Sequence, residues 1–376
     1  MLDGGCAAVC SVVITGAGGY LGGLLAEAYA REVGAAAVRC IVRQPHQAER
    51  LAAAGFDVLC GDLLDASFCA RAVADASLVV HAAAKLGTGP RAEFLEMNAR
   101  VARDLSQAAM RANVHRLVLV STIEAYGLFD GRTLTEDQGH IRNGHAYSES
   151  KFAGEQAVIG TFRAAGLDNF CILRPGMIYG PNSPYWTQRY LRKAREGSIR
   201  VLGDGGRVFP VFESDMVSAV LAAGTNDRAS GQVFNIVHDE ELTWWDWAAA
   251  HHWLAQHGAP RRKSLIATGT QSALRKALGR SSFRRKLEVE LRRAVIPHDK
   301  AFRELGWSPR GFSAGIALSS SCTRVGDTEA AESSRSGSTS PTEGADYHGE
   351  NTFFSRRPRL VDAGLPAARL RRPGSQ

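Results

Sequence analysis

The chain has 376 residues, 45% hydrophobic and 22% charged, an ordinary globular mix with enough apolar material to bury a core without disulfides or metals. No apolar run approaches the roughly 18 residues that a membrane span needs, and Met1 to Val9 lacks the basic start and apolar stretch of a signal peptide. The net charge of +7 gathers at Arg192 to Arg207 and in the C-terminal third, so it reads as a basic rim that attracts an anionic ligand, with no nucleic acid expected.

Apolar runs alternate with helical patterns through the first part. Strands are expected at Ser11 to Ile14, Val38 to Val42, Asp57 to Cys60, Leu78 to His81, Leu117 to Val120 and Phe170 to Leu173. Helical spacing marks Leu21 to Val33, Arg91 to Ala112 and Ser148 to Ala165. Such alternation implies βαβ units with right-handed crossovers, hence an α/β fold on a doubly wound parallel sheet. After Pro175 the pattern is less regular, with a strand at Val233 to Val237 and a Trp-rich helix at Thr243 to Gln256. Three parts are expected: 1–175 carrying the sheet, 176–318 as a smaller substrate-binding region packed on it, and 319–376, rich in Ser, Gly, Glu and Arg, as a disordered tail. The seven cysteines, Cys6, Cys10, Cys40, Cys60, Cys69, Cys171 and Cys322, form no CxxC pair. They read as reduced thiols of a cytoplasmic protein, with neither a disulfide framework nor a metal site.

The loop Thr15-Gly16-Ala17-Gly18-Gly19-Tyr20-Leu21-Gly22 joins the first strand to the first helix. Glycines there allow a tight turn, close approach of a pyrophosphate and close helix–strand packing, while the helix N-terminus offers N–H groups and a positive dipole end. The pattern predicts a Rossmann dinucleotide site formed by Gly16, Gly19, Tyr20, Leu21 and Gly22. The second strand closes as Cys40-Ile41-Val42-Arg43-Gln44, without the acid that would bind the 2′-hydroxyl of NAD. Arg43 suits the 2′-phosphate of NADP, so NADP is preferred, with NAD as the alternative. Asp62 and Leu63 follow the third strand, where Asp62 is placed to accept from the adenine amino group; Ser67 suits the N-cap of the next helix. His81, Ala82 and Ala83 close the fourth strand, and the small residues let a cofactor lie near the backbone.

Tyr147 and Lys151 lie four apart on one helix face. A phenol has a pKa near 10 and is a poor base at neutral pH. A lysine cation one turn away stabilises the phenolate, so Tyr147 can exchange a proton with a substrate oxygen while Lys151 also holds the nicotinamide ribose. Upstream, Ser121-Thr122-Ile123-Glu124-Ala125-Tyr126-Gly127 places a hydroxyl at the carboxyl end of the fifth strand.

These motifs, with HAAA after strand four, YSESK and LRPGMIYGP after strand six, occur in the order of the extended short-chain dehydrogenase/reductases, which residues 11–316 resemble. The resemblance assigns the substrate-orienting hydroxyl to Thr122, with Ser121 as neighbour, matches Asn98 to an asparagine of the long helix, and matches Pro175 and Gly176 to the turn against the nicotinamide. It implies an NAD(P)-dependent oxidoreductase acting on a secondary alcohol or ketone. A sugar-nucleotide epimerase with bound NAD and a non-catalytic nucleotide sensor are the alternatives. The dehydratase-type Asp-Glu pair appears as Ile123-Glu124, so dehydration is not expected. Trp186, Trp244, Trp245 and Trp247 are candidates for an apolar substrate pocket, core packing being the commoner use of aromatic residues at helical spacing. The expected partner is a small-molecule substrate, and monomer and homodimer both stay open.

Overall fold

The computed structural model describes residues 12–127, 131–203, 205–263 and 291–320, all within one compact unit, Met1–Ser340. The chain begins with β1 (Val12–Thr15), α1 (Tyr20–Val33), β2 (Val38–Val42), α2 (Pro45–Ala53), β3 (Asp57–Cys60), α3 (Ala66–Ala72) and β4 (Leu78–His81). It continues with α4 (Arg91–Leu95), a π turn (Glu96–Arg100), α5 (Val101–Arg111), β5 (Arg116–Val120), α6 (Ala146–Ala164) and β6 (Phe170–Pro175). The remainder comprises β7 (Met177–Tyr179), α7 (Arg189–Arg195), β8 (Arg200–Leu202), β9 (Arg207–Val208), β10 (Pro210–Phe212), α8 (Glu213–Thr225), β11 (Gln232–Ile236), β12 (Leu242–Thr243), α9 (Trp244–Leu254), β13 (Arg261–Lys263) and α10 (Asp299–Leu305).

Seven strands form one sheet in the order β11-β6-β5-β4-β1-β2-β3, with every pairing parallel. Because side chains alternate across a strand, each strand feeds two cores. Val12 and Ile14 of β1, Val118 and Val120 of β5, and Cys171 and Leu173 of β6 pack with Leu25 and Tyr29 of α1 and Met216 and Val220 of α8. Val13, Leu117, Leu119, Phe170 and Ile172 face the other way, onto Phe68 of α3, Leu105 of α5 and Val158 and Phe162 of α6. Burial on both faces explains why the strands read as continuous apolar runs. The strand order reverses between β1 and β4, and a doubly wound sheet opens its ligand crevice beyond the carboxyl ends of the strands at that point.

The sheet's seventh strand, β11, comes from the segment after residue 175, and its register pairs Ile236 with Pro175. Short pairs extend this half: β10 with β7, β12 with β9, and β13 with β8. Arg116, buried at the start of β5, donates to the carbonyls of Ala223 and Asn226 at 3.1 Å, so a cation meets the negative end of α8. Cys40, Cys69 and Cys171 are buried and Cys60 is exposed, none of the four in a disulfide; Cys6, Cys10 and Cys322 lie outside the described residues. Ser319 is buried, its hydroxyl donating to the Gly315 carbonyl at 2.9 Å. From residue 321 onward the expected tail lies outside the described residues. Among the described residues no helix is long and apolar enough to cross a membrane.

The helix expected as one piece over 91–112 contains the π turn at Glu96–Arg100. Asn98 sits in that wider turn. Its Oδ1 accepts from the Lys85 N–H at 2.7 Å, and its Nδ2 donates to the Ser150 hydroxyl at 3.0 Å, so one side chain ties the loop after β4 to α6. The backbones are also close: a Cβ at Gly154 would stand 2.4 Å from the Asn98 carbonyl oxygen. Gly154→Ala is therefore expected to force α6 off the π turn and to destabilise the protein by about 1–3 kcal/mol. Urea unfolding checks this, and an unchanged midpoint would remove the packing argument.

Candidate active site

At the start of the molecule, Gly16 has φ +73°, and a Cβ there would lie 2.9 Å from the backbone of Ala83. The turn after β1 is thus pressed against the end of β4, across the point where the strand order reverses. At Gly22 a Cβ would stand 2.1 Å from the Gly16 carbonyl oxygen, so α1 enters directly over the turn. The Gly16 and Ala17 N–H groups donate to the Ile41 carbonyl at 3.1 and 3.3 Å, leaving α1 to present its own N-terminus. Gly19 is the N-cap, no side chain caps the helix, and its first turn holds no acid. Those are the requirements for seating a pyrophosphate, so the residues fit a dinucleotide. The Tyr20 hydroxyl points away from the turn, donating to Glu213 of α8, so only its backbone N–H is placed to meet a ligand there.

Arg43 is exposed immediately after β2. Asp62 caps its own turn, its Oδ1 accepting from the Leu64 N–H at 2.9 Å. The N-cap of α3 is Asp65, which accepts from Ser67 N–H at 2.8 Å. This corrects the expectation for Ser67: a carboxylate two residues upstream starts the helix earlier, so that the Ser67 N–H is itself the capped donor, and it adds a favourable charge at the helix N-terminus. Leu63 is buried, and its carbonyl accepts from the Cys69 thiol at 3.2 Å.

His81 is buried and lies 2.7 Å from the Thr15 hydroxyl through Nδ1. That hydroxyl accepts from the Ala83 N–H at 3.2 Å, which leaves its hydrogen for Nδ1, the arrangement of a neutral imidazole. Burial, with Lys151 adding repulsion, pulls His81 down to about 3. The side chain fastens β1 to β4 beneath the glycine turn.

Lys151 carries the chemistry furthest. It is 4% exposed, and its ammonium donates to the Val120 carbonyl at 2.8 Å, at the very end of β5. Burial lowers it to about 8, with the Glu155 carboxylate acting in the opposite direction. Thr122 follows two residues beyond Val120. Its Oγ1 accepts from the Glu124 N–H at 3.2 Å and caps the short turn Ile123–Tyr126, against which α6 packs. Tyr147 is half-buried in the first turn of α6, one turn before Lys151, with its ring edge-on to His145 at 6.3 Å. The Ser150 hydroxyl donates to the Tyr147 carbonyl at 2.9 Å and accepts from Asn98, so the turn carrying Tyr147 is braced from the neighbouring helix. Pro175 ends β6 buried, and the Gly176 N–H donates to Ile236 at 3.1 Å.

Glu155, Arg174 and Arg292 of this region were not singled out from the sequence. Glu155, fully buried, accepts from Ser121 and is paired with Arg174 at 2.7 Å. Glu124 is ion-paired with buried Arg292 at 2.9 Å, 168 residues away. A positional signal existed for the first pair: Glu155 continues the 147–151 spacing by one more turn, and Arg174 interrupts an otherwise apolar strand. Arg292 carried none, because nothing local announces a contact so distant in sequence.

With this geometry in place, comparison with known proteins is informative. The sequence profile of the NAD dependent epimerase/dehydratase family matches residues 12–237, well over half of the chain. The chain belongs to this family. It is thereby a member of the extended short-chain dehydrogenase/reductases that its motifs resemble. An uncharacterized protein, y4nL, of Sinorhizobium fredii is 26% identical over 62% of this chain and 68% of its own length. The 2-alkyl-3-oxoalkanoate reductase of Shewanella oneidensis is 25% identical over 64% of this chain and 65% of its own length, just under two thirds. A UDP-glucuronic acid 4-epimerase from Bacillus cereus, solved in complex with NAD, shares the fold with a TM-score of 0.66 at 20% identity, over 84% of this chain and 99% of the other.

The neutral His81 of this family member has a consequence for acid stability. Below pH about 6.5 the unfolded chain takes up a proton on this residue, and the folded one does not until about 3. Stability therefore falls on acidification across that window, by at most about 1.4 kcal/mol per pH unit. His81→Asn is expected to show a shallower loss of urea resistance between pH 7 and pH 5 than the wild type. Parallel losses would mean that His81 titrates normally in the folded protein.

Proposed function

We propose that this protein is a nicotinamide-dependent dehydrogenase/reductase of a secondary alcohol or ketone, with NADP(H) as cofactor and Tyr147 as general acid/base. The observation that carries this is the buried ammonium of Lys151, one turn after Tyr147, on the carbonyl of Val120 at the end of β5, two residues before Thr122. Bound over the glycine turn, the nicotinamide dinucleotide supplies hydride exchange with a carbon centre. Tyr147 gives or takes the proton on the substrate oxygen. Lys151 favours the phenolate of Tyr147 by its charge and holds the nicotinamide ribose. Thr122 orients the same oxygen, and Pro175 closes the nicotinamide side of the crevice. Gly16, Gly19, Leu21 and Gly22 seat the pyrophosphate, while Asp62 and Leu63 border the adenine.

Two further observations favour a simple redox step. Glu124, the acid that remains where a dehydratase-type pair would stand, is occupied by Arg292. The Shewanella relative is by name a reductase of a 3-oxo acid. The segment 176–318 supplies the substrate side in this proposal. Trp186, Tyr190 and Trp244 form a half-buried set, with Tyr190 stacked on each tryptophan at 6.1 and 6.2 Å. Trp247 is fully buried against Tyr179 and Phe312 and belongs to the core instead. A second proposal, sugar-nucleotide epimerisation with tightly held NAD, draws on the Bacillus cereus neighbour.

Titration of the purified protein with NADPH and NADH, followed by nicotinamide fluorescence, separates these proposals. The first predicts reversible binding of both, with NADPH tighter, and a loss of about tenfold in NADPH affinity for Arg43→Ala, as expected for one charge-assisted contact. Equal affinities and an indifferent Arg43→Ala would favour NAD. Nicotinamide that copurifies and cannot be dialysed away would favour the epimerase. On the carbonyl compound that oxidises NADPH fastest, Tyr147→Phe is expected to cost about 10²–10⁴-fold in turnover with cofactor affinity retained. Turnover left intact would exclude Tyr147 from the chemistry.

A further inference from the structure

Beneath the residues assigned above lies a buried ionic array that the mechanism does not use directly. Tyr147, Lys151 and Glu155 are spaced four apart along α6 and so share one face. Glu155 is 0% exposed and Arg174 is 3% exposed. One carboxylate oxygen of Glu155 accepts from the Ser121 hydroxyl and from Arg174 Nε at 3.1 Å, and the other accepts from Arg174 Nη2 at 2.7 Å. Arg174 also donates to the Glu136 carbonyl at 3.3 Å, and its guanidinium lies 4.5 Å from the centre of the Tyr126 ring. The Tyr126 hydroxyl donates to Asn235 at 2.7 Å, and the Asn235 N–H donates to the Glu136 carboxylate at 3.0 Å. The array thus links the turn after β5, α6, β6 and β11.

A buried ion pair is expensive to desolvate and is often no more stabilising than apolar side chains of the same volume. Its value here follows from where it stands. We infer that Glu155, set by Arg174, is a positioning residue of the active site, holding the Ser121 hydroxyl inward and the Lys151 ammonium at the end of β5. This rests on the function proposed above.

Two consequences follow from the geometry. With Ser121 turned into the core onto Glu155, the alternation of a strand end sends the next side chain, Thr122, to the opposite side. The hydroxyl left to meet a substrate is then that of Thr122. The second consequence concerns charge. The Val120 carbonyl of β5 accepts from the Lys151 ammonium, the charges of Lys151 and of Glu155 on α6 act on one another, neutral His81 of β4 feels the Lys151 charge, and Ser121, just after β5, and Arg174 of β6 meet Glu155. Glu155 is the buried carboxylate of that set, and it offsets two buried cations. Burial already draws Lys151 down to about 8, with Glu155 opposing. Removing the Glu155 charge therefore makes Lys151 release its proton at lower pH.

Glu155→Gln tests this, because it preserves volume and removes the charge. The Lys151 Cε resonance of lysine-labelled protein, identified by its absence in Lys151→Met, reports the titration without any substrate. The expected result is a wild-type midpoint near 8 and a Glu155→Gln midpoint lower by about one pH unit or more, with Glu155→Asp returning towards wild type. A folded Glu155→Gln protein whose Lys151 midpoint is unchanged would overturn the inference. Should that variant not fold, Arg174→Gln replaces it. Freed of its competitor, Glu155 then raises the Lys151 midpoint, and an unchanged or lowered midpoint would equally overturn the inference. Failure of the proposed function itself would appear separately, as a wild-type protein that binds neither NADPH nor NADH.

Discussion

A lysine ammonium buried at the carboxyl end of a parallel strand is the constraint around which this structure is arranged. An isolated charge there would be untenable. Lys151 is held by the Val120 carbonyl, which its ammonium meets directly, and the Glu155 carboxylate one turn further along α6 favours its charge. To bring the Val120 carbonyl within reach, α6 must lie close on the sheet. The close approach of Gly154 to the Asn98 carbonyl and the bracing of Ser150 by Asn98 show how that closeness is obtained. Glu155 in turn requires Arg174, and Arg174 requires the surroundings that Tyr126, Asn235 and Glu136 provide.

The other half of the crevice depends on absent atoms rather than on charges. Gly16, Gly22 and the backbone of Ala83 occupy a space in which added Cβ atoms would collide. The result is an α1 N-terminus laid open at the reversal of strand order, next to the strand that ends in His81. Thr15 and His81 lock the two sides together by a neutral hydrogen bond, which leaves the positive potential there to the helix dipole. Opposing demands are met in one sheet: uncharged contacts beneath the glycine turn, and a held cation at the end of β5.

Much of this was legible in the sequence. The strands β1, β2, β4, β5 and β6 were readable because burial on both faces makes them apolar runs between turn residues, and β3, at the sheet edge, from its place in the βα alternation. The glycine turn was readable because local geometry dictates glycine wherever a Cβ would collide with the neighbouring backbone. What escaped was non-local. The π turn at Glu96–Arg100 leaves no mark in a helical periodicity, since it is stabilised by a partner loop at Lys85. The pairing of Glu124 with Arg292 joins positions that no spacing rule connects. Trp247 looked like its neighbours in the Trp-rich helix, and only the packing of Tyr179 and Phe312 around it shows that it is core. The N-cap of α3 is Asp65 and not Ser67 because Asp65, equally capable of capping, starts the helix two residues earlier and takes the Ser67 N–H.

The central claim is that the open N-terminus of α1 and the buried Lys151 serve opposite ends of one bound nicotinamide dinucleotide. A crystal structure of the wild-type protein with NADPH tests it most directly. The account predicts the pyrophosphate against the backbone N–H groups of Tyr20, Leu21 and Gly22, the 2′-phosphate beside Arg43, and the nicotinamide ribose on the Lys151 ammonium. A dinucleotide seated elsewhere on the molecule, or one whose nicotinamide end turns away from α6, would contradict it.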